Sequence, residues 1–373
     1  MSVLVTPALF DGETLHGPRT VVFEGERIVD IVPAQAAAET LPPGSLLVPG
    51  FIDIQVNGGD GMLFNEQPTL AGLRHIAAAH ASLGTTSLLP TLISAERGLQ
   101  HKAVAAVREA LAARVPGIAG IHIEGPFISR TRRGIHPERA LTAPTAADLA
   151  FFATIAPVCL VTVAPEIFAT DQVAALAAAG AIVSLGHTDA DAETVAAALA
   201  AGATGFTHLF NAMSQLAGRS PGAVGAALDS AHAFAGIIVD GLHVHPASVR
   251  VAWRALGSGR LLLISDAMPS VGTDPPRGFV LNGQTIALRD GKLIDAAGTL
   301  AGAHLTMAEA VRRAVTHVGL PLADALRMAT ATPADFLRLS DRGRIAPRLR
   351  ADFVALDADL AVRAVWQGGA RVA

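Results

Sequence analysis

Residues 181–210 read AIVSLGHTDADAETVAAALAAGATGFTHLF. Ala181–Leu185 is an apolar run rather than an alternating one, as expected of a strand buried on both faces of a parallel sheet. Asp189 to Asp191 offer a helix cap, Ala192–Ala201 has helical length, and Gly205–Leu209 is a second apolar run. The segment is a strand–helix–strand unit, with His187 just past the first strand and His208 near the end of the second.

The same unit recurs in both directions. Apolar runs at Phe51–Val56, Thr85–Leu92, Ile118–Ile123, Val158–Val163, Phe234–Val239 and Leu261–Ile264 bring the strands to about eight. Predicted helices at Leu70–Leu83, Arg97–Ala113, Asp171–Ala179 and Pro246–Leu256 lie between them, the third opening on the cap-like Thr170-Asp171. Reactive side chains collect where the strands end: Gln55 and Asn57, His122 and Glu124, His187, His208, His243 and Asp266. In a closed parallel barrel those ends share one rim, so the expected fold is α/β, a (β/α)8 barrel with its site at that rim. The termini read as a small β domain. Val21–Phe23 and Ile28–Val32 flank Glu24-Gly25-Glu26, and Ala351–Leu356 with Ala361–Gln367 give two further strands. The predicted division is 1–48 and 339–373 for a small β-sandwich made by both termini, and 49–338 for the barrel. Phe279 to Leu300 reads as an inserted hairpin.

Composition narrows the partners. With 51% hydrophobic and only 16% charged residues in 373, a large core is readily filled, and no apolar run has the roughly 18–20 residues needed to span a bilayer. A net charge of −4 without a basic block argues against nucleic acid. The single cysteine, Cys159, excludes an internal disulfide and fits a reducing compartment, and the start lacks a signal-peptide pattern, so the expected location is the cytoplasm. Glu124, His187 and His208 come from three strand ends. One carboxylate and two imidazoles form a suitable ligand set for a catalytic Zn²⁺ with a coordination position left for water. Singly, each would read as an ordinary exposed residue; on one rim, with Asp266 as a base, they read as a hydrolytic metal site.

At this level of detail the chain resembles the N-acetylglucosamine-6-phosphate deacetylase family of the amidohydrolase superfamily. Pro49-Gly50-Phe51-Ile52-Asp53 and Ser265-Asp266-Ala267 alone carry only the superfamily likeness, and Gly186-His187-Thr188 agrees with the family. His122-Ile123-Glu124-Gly125-Pro126-Phe127, Thr207-His208-Leu209-Phe210-Asn211-Ala212-Met213 and Asp240-Gly241-Leu242-His243 carry the narrower one. The resemblance implies hydrolysis of an N-acetylated amino-sugar 6-phosphate, with Glu124, His187 and His208 on the metal, Asp266 as general acid and base, and His136 (beside Ile135) at the acetamide carbonyl. It further implies substrate contacts from Asn211, Ala212, Arg219, Asp240, Gly241, Leu242 and His243, and backbone contacts from Leu300, Ala301 and Gly302. Many superfamily members carry His-x-His after the first strand to hold a second metal. Here Gln55-Val56-Asn57 stands in its place, and neutral amides are poorer Zn²⁺ ligands than imidazole, so one metal per subunit is expected. Zn²⁺ leads, with Fe²⁺, Co²⁺ and Mn²⁺ as alternatives. Arg219 lies in the Gly/Pro-flanked loop Gly218-Arg219-Ser220-Pro221-Gly222, and the resemblance implies a homodimer in which it reaches the neighbouring site.

The galacto epimer of the substrate stays open, since one hydroxyl's orientation is not legible from sequence. Other amidohydrolases are disfavoured by the missing His-x-His and by the absence of a strand-end lysine for carboxylation. A non-catalytic sugar-phosphate-binding homologue is disfavoured by the complete ligand set and Asp266. His232, His245, His304 and His317 receive no role.

Overall fold

The computed structural model describes residues 1–37, 39–155 and 157–373. Eight parallel strands form one sheet in chain order: β1 (Phe51–Val56), β2 (Thr85–Ile93), β3 (Ile121–Glu124), β4 (Cys159–Val163), β5 (Ile182–Leu185), β6 (Gly205–Phe206), β7 (Phe234–Ile238) and β8 (Leu261–Ile264). The barrel closes where Val56 bridges Ala267 in parallel and Asn57 N–H donates to Ala267 O at 2.9 Å. Helices run between strands as expected, with ends shifted by a residue at most: Leu70–Ser82, Arg97–Ala112, Thr170–Ala178, Ala192–Ala200 and Pro246–Leu256.

Local chemistry accounts for the differences. Asp191 caps its helix by accepting from Thr194 N–H at 2.8 Å. Thr170-Asp171 does not cap the next one upstream: that helix begins at Thr170, and Gln172 reaches back to accept from Ala169 N–H. β6 stops at Phe206 rather than Leu209 because His208, Phe210 and Ala212 all take left-handed backbone angles (φ 35°, 77° and 49°), which a strand cannot contain. Helices at Ala146–Phe152, Gly222–Asp229, Met307–Arg313 and Leu322–Ala329 add to those read from sequence.

The strands are not apolar throughout, either. One step below the rim, His122 Nε2 lies 2.7 Å from Thr162 Oγ1, Thr162 Oγ1 2.7 Å from Thr207 Oγ1, and Thr207 Oγ1 2.7 Å from Ser184 Oγ. His122, Thr162, Ser184 and Thr207 thus find hydrogen-bond partners in one another across the barrel interior.

Both termini build the small β-sandwich. Ser2–Thr6, Arg19–Glu24, Arg27–Pro33 and Glu39–Thr40 form one sheet; Leu46–Pro49 joins Phe353–Leu356, Val362–Gln367 and shorter strands in a second. Leu4, Phe23, Leu47, Phe353 and Trp366 fill the space between. The insertion is more than a hairpin. Phe279–Leu281, Gln284–Arg289, Lys292–Ile294 and Leu300–Ala303 make a four-stranded antiparallel sheet. Asn282-Gly283 and Asp290-Gly291, all at positive φ, turn its first three strands.

Candidate active site

The strand ends converge on a cavity of about 450 Å³, within the size range of small-molecule sites. Glu124, the last residue of β3, is buried; His187 follows β5 and His208 follows β6. Glu124 Oε1 lies 3.3 Å from His187 Nε2 and 3.1 Å from His208 Nε2, and the two imidazole nitrogens are 3.0 Å apart. The tautomer of His187 is fixed from behind: Arg132 O sits 2.8 Å from Nδ1, so Nδ1 carries the hydrogen and Nε2 presents a lone pair. The bare His187 nitrogen and the Glu124 oxygen bring lone pairs together beside the second imidazole nitrogen, and a cation among the three would satisfy them all. The donor set therefore suits one divalent metal, with His187 held by a backbone carbonyl as metal-binding imidazoles usually are. Burial tends to lower His208, but the carboxylate of Glu124 outweighs it and raises the imidazole, the same demand for positive charge. Burial pulls Glu124 upward, but the His187 and His208 imidazoles against its carboxylate outweigh that and hold it well below the usual carboxylate range.

His136 also approaches this group: ligand atoms of Glu124, His136 and His187 lie within 4.8 Å of one another. Its chemistry differs. Ser94 N–H points at His136 Nδ1 at 3.3 Å, and an N–H can only donate, so neutral His136 bears its hydrogen on Nε2. Burial lowers its pKa to about 3, so it stays neutral. A protonated Nε2, 3.9 Å from Glu124 Oε2, is a hydrogen-bond donor to the cavity and not a metal ligand.

Asp266, just past β8, is buried, and burial followed by the charge of Glu124 pushes it up to about 6. Gln55 Nε2 bridges Glu124 Oε1 (3.1 Å) and Asp266 Oδ1 (3.2 Å), and Asn57 Nδ2 donates to the same Oδ1 at 2.7 Å. The residues replacing His-x-His thus hold the two carboxylates apart and leave Asp266 Oδ2 without a side-chain donor among the described residues. His187, His208 and Asp266 all sit in the left-handed region (φ 49°, 35° and 50°), where ordinary residues are strained and functional ones recur. Gly302 supports this rim at φ 63°: a Cβ there would meet Met268 Cγ at 2.5 Å and Asp266 O at 2.9 Å.

Ile135, Asn211, Ala212, His243, Leu300 and Gly302 line the same cavity. Asp240 stands behind its wall. One carboxylate oxygen accepts from Leu242 and His243 N–H (2.8 Å each) and the other lies 2.6 Å from His243 Nδ1, so Asp240 aims His243. Gly241, Leu242 and Ala301 do not line the cavity, and Arg219 is exposed in the turn Ala217–Ser220. Asn211 Nδ2 turns back onto His208 O (3.2 Å) and Leu209 O (3.3 Å). Sequence reading missed Ser94 and Arg132. Ser94 follows β2 directly, so the strand-end rule would have found it; Arg132 acts through a backbone carbonyl and leaves no such signal. Of the histidines without a role, His245 caps Pro246–Leu256 by accepting from Ala247 N–H, and His304 pairs with Ser270.

The amidohydrolase family profile matches residues 46–372. An N-acetylgalactosamine-6-phosphate deacetylase of Shewanella sp. (strain ANA-3) is 48% identical, covering 87% of this chain and 82% of that one. An N-acetylglucosamine-6-phosphate deacetylase of Haemophilus influenzae is 37% identical, covering 86% of each. The crystal structure of N-acetylglucosamine-6-phosphate deacetylase from Pasteurella multocida superposes with a TM-score of 0.94 at 34% identity, covering 98% of both chains. By sequence and by fold, this chain belongs to the amidohydrolase family and, within it, to the N-acetylglucosamine-6-phosphate deacetylase family.

Proposed function

We propose that this enzyme hydrolyses the acetamide of N-acetyl-D-glucosamine 6-phosphate, giving D-glucosamine 6-phosphate and acetate. The observation that carries the reading is one cavity holding a cation-demanding Glu124/His187/His208 group, a buried base and a neutral imidazole donor. A divalent ion held by Glu124, His187 and His208, Zn²⁺ in the first instance, would polarise the carbonyl and make water acidic enough to lose a proton near neutral pH. Asp266 takes that proton as the water oxygen bonds to the acetamide carbon. When the C–N bond breaks, its electron pair stays on nitrogen, which receives the proton back from Asp266. His136 donates from Nε2 to the carbonyl oxygen as it gains charge. His243, held by Asp240, would grip the phosphate together with the Ala212 N–H, and a charge-assisted contact of that kind is the stronger sort.

The remaining assignments belong to the same reading. Arg219 is exposed and absent from its own cavity wall, which supports a homodimer in which it completes the neighbour's phosphate site. Strand pairing of Leu46–Pro49 with Phe353–Leu356 supports domains at 1–48 with 339–373, and at 49–338. No helix among the described residues is long and apolar enough to cross a membrane, and a lone buried thiol suits the cytoplasm.

One observation favours the galacto epimer: the 48% identity to the Shewanella enzyme exceeds the 37% to the Haemophilus one. Acetate release from both epimeric 6-phosphates and from the unphosphorylated sugars tests the proposal. A higher kcat/KM for the galacto compound would reassign the substrate, and no release from either 6-phosphate would overturn the function.

A further inference from the structure

Asn57 carries an atom that the chemistry above leaves idle. The residue is 2% exposed, yet it lines the cavity, and its Oδ1 is buried with no hydrogen-bond partner among the described residues. A buried, unpaired carbonyl oxygen is costly and uncommon in a folded protein. The side chain is not free to relieve this by turning over. Its Nδ2 faces Asp266 Oδ1 at 2.7 Å, and exchanging the two ends would set two acceptors against each other. Nor is the backbone free to move: Asn57 N–H donates to Ala267 O at 2.9 Å, and Asn57 O accepts from Phe64 N–H at 2.8 Å. Oδ1 is therefore an unpaired acceptor beside the general acid, closed to water in this structure and opened by a small turn of the side chain about its contact to Asp266 when a donor enters.

The reaction brings two donors to this place, the second O–H of the attacking water and the N–H of the acetamide. Asp266 must return its proton to the acetamide nitrogen, so that nitrogen comes within proton-transfer reach of Asp266, and Asn57 is bonded to Asp266. The acetamide nitrogen carries a single N–H. We infer that Asn57 Oδ1 accepts a hydrogen bond from this N–H, making Asn57 a substrate-binding residue that selects an amide over an ester. With the N–H held on one side, the nitrogen lone pair that develops as the carbonyl becomes tetrahedral is turned toward Asp266. The inference rests on the proposed deacetylation and adds to it the group that recognises the scissile nitrogen.

The test compares the N-acetyl sugar 6-phosphate with its 2-O-acetyl counterpart, an ester of the same shape that lacks the N–H. Each is followed by acetate release, or by its inhibition constant if the ester binds without turnover. Wild type, Asn57→Ala, Asn57→Leu and Gln55→Leu are used, each checked for folding by thermal melting. Both Asn57 variants lose the donor to Asp266 and should weaken on both substrates, but on the amide they should lose about 10-fold or more beyond the loss on the ester, as expected for one buried hydrogen bond. Gln55→Leu, which also loses a donor to Asp266, should leave the amide-to-ester ratio at the wild-type value. Equal losses on amide and ester in the Asn57 variants would overturn the inference, since Oδ1 would then serve the attacking water or the fold. Failure of wild type to act on the amide at all would instead sink the deacetylase reading.

Discussion

The two halves of the active-site rim are built on different principles. The metal half hangs from the ends of β3, β5, β6 and β8: Glu124, His187, His208 and Asp266 are buried and each is tied to a neighbour at 3.3 Å or less. The half proposed to hold the phosphate is carried by loops. There His243 depends on a single carboxylate behind it, Asn211 bonds the carbonyls of His208 and Leu209, and Arg219 stands in solvent. A strand end fixes direction because the sheet fixes the backbone, whereas a loop needs local props to do so. The groups proposed to meet a cation sit at or just past strand ends, and those proposed to meet the larger, softer phosphate do not.

Breaking the metal half should have the largest effect. His187→Asn or His208→Asn should remove metal and activity together, read by elemental analysis beside the acetate assay. Wild type should hold close to one metal per chain, and two tightly held ions would contradict the role given to Gln55 and Asn57. Asp266→Asn should keep metal and fold but lose about 10²–10⁴ in kcat, the usual worth of a general acid–base group. The sign of the pH effect follows from its raised pKa. Asp266 works as a base only when ionised, so kcat/KM should fall as pH drops through about 6. A cation beside it favours the ionised form and moves this limb to lower pH. The limb should vanish in Asp266→Asn, and its persistence there would assign it to another group.

Damage to the phosphate half should be milder and selective. His243→Asn should cost about 10–100-fold in kcat/KM on the phosphorylated sugar and little on the free sugar, narrowing the gap between them. Arg219→Ala should impair a homodimer, yet co-expression with Asp266→Asn subunits should restore part of the activity, because one site of the mixed dimer then keeps its own Asp266 and its partner's arginine. No recovery in verified mixed dimers would return Arg219 to its own chain or remove it from the site. The smallest effect should come from outside the rim. Asp191→Ala removes a helix cap and should cost about 1 kcal/mol of stability, measured by denaturant unfolding, with kcat/KM unchanged.

What could be read from the sequence follows the same division. Strand ends were legible because an apolar run followed by a charged or imidazole residue is a local pattern, and Pro246–Leu256 was legible at both ends because Pro246 opens it and Gly257, at φ 68°, closes it. Gly222–Asp229 was missed: it follows Pro221 with no side-chain cap, so nothing local marks its start. The early end of β6 could not be foreseen, since the left-handed turn at His208 is imposed by the site. Asp240 reads as a substrate contact from the segment it shares with His243, and the three-dimensional arrangement adds that its carboxylate holds His243. Asn282-Gly283 and Asp290-Gly291 did announce two tight turns, and counting them would have given three of the four strands of the inserted sheet.

Leu46–Pro49 lies between Leu9–Phe10 and Phe353–Leu356, so strands separated by some three hundred residues of barrel share one sheet. On a ribosome, the first part of that sheet emerges long before its partner. Until Phe353–Leu356 arrives, Leu46–Pro49 exposes a bare, wholly apolar edge, the kind of surface on which nascent chains pair with one another. Completion of the sandwich is therefore a checkpoint on the whole polypeptide: a product cut short anywhere in the barrel keeps an adhesive edge, and only a finished chain can cover it.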